Sequence, residues 1–126
     1  MGLDNFASQV PDDLVLSEED EKAFEEAGIE LCGGIISGGG SSFRGKVYDT
    51  LIEKVTNISL YSKWLCPETV KLISQRLSKY TPEELFTIRK NMHLLRGSTG
   101  TAKEMANLQK FFQVCAERGL GIIGWW

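Results

Sequence analysis

The sequence predicts a mainly α-helical domain of about five helices. Three observations carry that reading. Apolar residues recur at three- and four-residue spacing along four stretches between positions 43 and 118. Side chains that cap helix starts stand before the helices, and Gly28 and Gly119 follow two of them. Extended, β-capable runs are few and short, enough for a small two- or three-stranded sheet from the 29–37 region and the C-terminal tail.

Residues 1–16 read as an irregular acidic leader of one globular domain spanning 1–126, with Pro11 and an acidic pair ahead of the apolar Leu14–Leu16. Ser17 is placed to cap a first helix over 18–27. Asp20 stands three places on and acids fill the first turn, where the helix dipole favours them. Its apolar face is thin, comprising Ala23, Phe24 and Ala27, which suits a surface helix.

Gly33-Gly34 between Ile29–Cys32 and Ile35–Ser37 is a hairpin signal. A second helix is expected from about Phe43 to Val55, with Val47, Leu51, Ile52 and Val55 in phase. The stretch from Asn57 to Cys66 reads as a connector anchored by Tyr61 and Trp64. Pro67 suits the first position of a third helix carrying Val70, Ile73 and Leu77. Thr81-Pro82-Glu83-Glu84 is the clearest local signal, a capping box with proline at the first helical position. The fourth helix carries Leu85, Ile88, Met92 and Leu95, and a fifth runs over 101–118 with Met105, Leu108, Phe112 and Cys115 in phase.

Composition excludes several classes. Of 126 residues 42% are hydrophobic and 25% charged, the balance of an ordinary soluble domain able to fold without metal or disulfide. The leader has an acid where a signal peptide needs a base, and no apolar run has the length of a membrane span. A cytoplasmic location is therefore expected. The three cysteines, Cys32, Cys66 and Cys115, form no C-x-x-C pair and read as free thiols. A zinc site would need all three plus His93 to converge from distant segments, so no metal and no cofactor is expected.

Charge is unevenly spread. Residues 1–30 hold ten acids against one base, and residues 31–126 hold seven acids against thirteen bases. A charge run of this kind reads as a solvated face, or as a segment that shields a basic surface.

Two motifs resemble nucleotide sites. Gly40, Gly45 and Lys46 have the G-x-x-x-x-G-K spacing of a phosphate-binding loop. The next residue is Val47, which cannot ligate magnesium, and no long buried strand precedes the loop. What remains is a candidate anion site: Gly40, Ser41, Ser42, Arg44 and Lys46 at a helix start, set against the plainer reading of a tight glycine turn, with Ser42 capping the helix and Gly45 letting another helix approach closely. The Gly119–Gly124 stretch matches G-x-G-x-x-G, but it follows a helix instead of opening one.

The tail Ile122-Ile123-Gly124-Trp125-Trp126 is too apolar to stay in water. It is expected to pack into the domain with Trp126 partly exposed, or to anchor a partner through Trp125 and Trp126. Arg89, His93 and Arg96 share one helix flank, a solvated basic face or an anion or nucleic-acid contact. A Cys32–His93 nucleophile pair has nothing in the sequence that brings the two together.

The function expected is that of a small non-enzymatic binding or adaptor domain with an anion-binding glycine loop, and a protein as its partner. The alternative is a small-ligand protein or enzyme acting on a phosphorylated or carboxylated molecule. The weaker alternative is nucleic-acid binding by residues 31–126, which the acidic whole-chain charge disfavours.

Overall fold

Five helices lie on one face of a four-stranded antiparallel sheet in the structure, a computed structural model that describes residues 2–32, 41–92 and 101–126. The mainly helical class read from the sequence holds. The strands are β1 (Asp4–Ser8), β2 (Ser42–Phe43), β3 (Trp64–Leu65) and β4 (Gly121–Trp125), in the order β2-β1-β4-β3. The helices are α1 (Glu18–Ala27), α2 (Gly45–Thr56), α3 (Pro67–Leu77), α4 (Pro82–Asn91) and α5 (Ala102–Arg118).

The helix ends follow local chemistry. Ser17 and Asp20 form a reciprocal capping box on α1, as Thr81 and Glu84 do on α4. Thr101 accepts a hydrogen bond from the Glu104 N–H at the start of α5. Gly28 and Gly119 end α1 and α5 in the left-handed conformation, where a Cβ would be strained.

The longest helix, α5, runs through the centre and packs on α1, α3 and α4. Phe43 meets Tyr48, Phe111 and Phe112 edge-on, and Phe24 packs against Phe111. Such tilted pairs suit the ring quadrupoles. The sheet closes the other side of this core through Leu3, Ala7, Leu65 and Ile122.

Three sequence expectations change. Residues 4–8 are not irregular: they form a central strand whose ladder partner is the tail, with Asp4 opposite Trp125 and Ser8 opposite Gly121. The partner lies at the far end of the sequence, so no local pattern marks the strand. The 29–37 contribution to the sheet is not seen where it is described. Ile29 packs into the core and residues 29–32 are not strand, while 33–37 fall outside the described residues. Finally, α2 begins at Gly45, not Phe43, because Ser42 and Phe43 pair with β1 as β2. Ser42 therefore caps no helix, and Arg44 stands at the N-cap position with no side-chain bond to the helix start.

Candidate functional site

Side chains alternate across a strand. Ala7 and Ile122, paired across β1 and β4, join the hydrophobic core. Their neighbours Phe6, Ile123 and Trp125 therefore point away from the helices. The register then gathers aromatics around Ile123, with Phe6 opposite it on β1 and Trp64 opposite it on β3. Trp125 stands two residues along β4, its ring centroid 6.3 Å from that of Phe6. The Trp64 ring lies over Gly121, where a Cβ would come within 2.3 Å of it. Beyond the strand end, Trp126 meets Tyr61 edge-on at 5.6 Å.

Three of these rings are open to solvent: Trp125 is 65% exposed, Trp126 49% and Tyr61 42%. Leu14, Val10 and Val15 add exposed apolar surface from the loop after β1. That loop is held as a unit. The Ser8 hydroxyl donates to the Asp13 carbonyl (2.6 Å) and accepts from the Val15 N–H (3.0 Å), and the Gln9 N–H donates to the Val15 carbonyl. Its tip, Pro11–Leu14, faces Trp125 and Trp126 across a cleft of about 520 Å³, with Lys63 on its wall. Asp12 and Asp13 at this tip are exposed.

The tail thus divides its residues. Ile122 is core, while the tryptophans line the outside, Trp125 even more than the Trp126 expected from sequence. Tyr61 and Trp64 read from sequence as anchors of a connector, and Phe6 falls in a segment that reads as irregular. Only the strand register unites them with the tail. No family model, curated protein or solved structure matches the chain.

The glycine-loop residues are placed differently. Gly40 lies outside the described residues. The Ser41 carbonyl accepts from the Ala7 N–H, and Ser42 is buried in β2. Arg44 pairs with Asp4 at 3.6 Å. At the start of α2, the Lys46 N–H donates to the Leu3 carbonyl and the Val47 N–H to the Arg44 carbonyl. Backbone donors that an anion would use are thus turned onto protein oxygens. Gly45 serves packing instead. A Cβ there would stand 1.6 Å from Oδ1 of Asn5, whose Nδ2 donates to the Leu60 carbonyl. The glycine permits the helix start to pass close over β1.

Arg89 is turned inward instead of lying on a solvated flank; His93 and Arg96 lie outside the described residues. The Arg89 side chain is only 8% exposed. It donates to Glu104 at 2.7 Å and lies 5.2 Å over the Tyr48 ring. The Tyr48 hydroxyl donates to the same carboxylate at 2.5 Å and accepts from the Cys32 N–H. Burial, then the bond to Glu104, pushes the Tyr48 pKa up, so this hydroxyl stays protonated. The three groups tie α2, α4 and α5 together.

All three cysteines are free, with Cys32 exposed, Cys66 half-buried and Cys115 buried. Burial pushes the Cys115 thiol well up, away from nucleophilic chemistry. Among the described residues, no group of three His, Cys, Asp or Glu could hold a metal ion. No helix among them is long and apolar enough to cross a membrane.

Proposed function

We propose that this protein is a small non-enzymatic binding domain that meets a protein partner through the outer, aromatic face of its sheet. The observation that carries the reading is the exposure of Trp125, at 65%, beside Trp126 and Tyr61 on a strand whose other face is core. Large aromatics left in water invite association. Tryptophan and tyrosine are also enriched among the few residues that dominate binding energy at protein interfaces, and a rigid ring loses little entropy on binding. The five-helix body acts as the scaffold that holds β4, and β4 holds the rings.

The Trp125→Ser/Trp126→Ser double variant tests this. Each ring is about half or more exposed, so the variant is expected to unfold within a few degrees of the native protein. It is also expected to lose the proteins that the native chain retains in affinity capture. A variant that is unfolded, or one that retains the same proteins, would overturn the reading.

A further inference from the structure

We infer that the cleft between the acidic loop tip and the tryptophan pair takes an extended, proline-containing, basic peptide segment. This rests on the aromatic face being a binding surface and specifies what binds there. A folded domain can hold an internal peptide segment by strand addition, by docking a helix, by pairing bases with acidic groups, or by gripping the side chains of a polyproline-type segment. The strand, the acids and the single base at the cleft favour none of the first three.

Strand addition needs an open ladder. The strand that carries Trp125 is central: β1 flanks β4 on one side and β3 on the other, and the Gly124 N–H already donates to the Lys63 carbonyl. A peptide there cannot extend the sheet through β4.

A docked helix lays an apolar face with anchors at i, i+3, i+4 and i+7 into an apolar groove, whereas one wall of this cleft carries Asp12 and Asp13.

Phosphorylated or acidic segments need clustered bases. Among the described residues that line the cleft, Asp12 and Asp13 face a single base, Lys63, and residues 1–30 carry ten acids against one base.

The remaining mode is side-chain recognition of a polyproline-type segment. Such a segment has no internal hydrogen bonds, so its carbonyls are open to donors such as indole N–H groups. Its proline rings pack flat on tryptophan, and its preset backbone loses little entropy on binding. Asp12 and Asp13 select a flanking Lys or Arg and repel acidic segments, anionic lipid and nucleic acid.

The test is selection of short random peptides displayed on phage by the full chain, with the Trp125→Ser/Trp126→Ser variant as the counter-target, followed by calorimetry with synthetic copies of the enriched sequences. The expected result is enrichment of sequences that combine proline with Lys or Arg. Their affinity should fall about tenfold or more in Trp125→Ser and several-fold in Asp12→Lys, the latter difference vanishing near 1 M salt, where screening reaches about 3 Å.

Four outcomes overturn the inference: no enrichment, enrichment without a proline and basic bias, equal enrichment on the double variant, or an Asp12→Lys effect that ignores salt. Co-sedimentation of the native chain with phosphatidylserine vesicles, lost in Trp125→Ser, would assign the face to a membrane instead. Concentration-dependent dimerisation lost in Trp125→Ser would assign it to a second copy. If the selection fails while the double variant still loses its captured proteins, only the peptide class falls and the protein-binding face stands.

Discussion

Gly45 shows how little room a single position can have. Its neighbour Asn5 is fully buried, with one side-chain bond to the Leu60 carbonyl and its Oδ1 against the glycine. Gly45→Ala is therefore expected to destabilise the fold by about 1–3 kcal/mol, the usual effect of overpacking, read from the urea midpoint. Adding Asn5→Ala should recover part of that loss, because the two sites share the clash. Asp20 is a second residue with a large local effect. Burial opposes its charge, but hydrogen bonds from Arg118, Gln9 and Ser17 outweigh burial and hold its pKa at about 2, below the ordinary 3.8. A depressed carboxylate stabilises the fold above its ordinary pKa and loses that contribution as pH falls through the folded value. Stability should therefore decline between about pH 4 and pH 2, and Asp20→Asn should be less stable at neutral pH and flatter across that window, as followed by urea melts at stepped pH.

At the scale of elements, α4 is fixed at its own start. Thr81 and Glu84 exchange hydrogen bonds of 3.1 and 2.8 Å around the proline turn. Thr81→Ala should cost about 1 kcal/mol, seen as a lower melting temperature with the helix content otherwise kept. Elements of this kind are legible in the sequence. The starts of α1, α3, α4 and α5, and the glycine ends of α1 and α5, are all marked by residues within one turn of the boundary. The strands are not. In β1, Asp, Asn, Ala and Ser give little β-propensity, and its partners are Ser42–Phe43 and the tail. Phe43 has the spacing of a helical residue because it lies four places from Val47, yet it enters the core from a strand. The same limit hides most of the candidate site: Trp125 and Trp126 stand out as an apolar tail, while Phe6, Tyr61 and Trp64 join them only through cross-strand register.

At the scale of the whole molecule, stability rests on the rings around α5. Phe111 is fully buried and touches Phe24, Phe43 and Phe112. Phe111→Ala should remove about 3–5 kcal/mol, a large share of the roughly 5–15 kcal/mol typical of a domain, measured by chemical denaturation. The aromatic face should be untouched by this change, because it lies across the sheet from the core. The sheet itself has a consequence for synthesis. Its central ladder joins Asp4 to Trp125 and Ser8 to Gly121, so a chain growing on the ribosome holds β1 without β4 while all five helices emerge. Loop closure over that distance is slow relative to helix formation. Until β4 leaves the exit tunnel, the nascent helical body lacks its cover and exposes Leu3, Ala7 and Leu65 with their core partners. Apolar surface left open in this way makes the partly folded chain prone to aggregation.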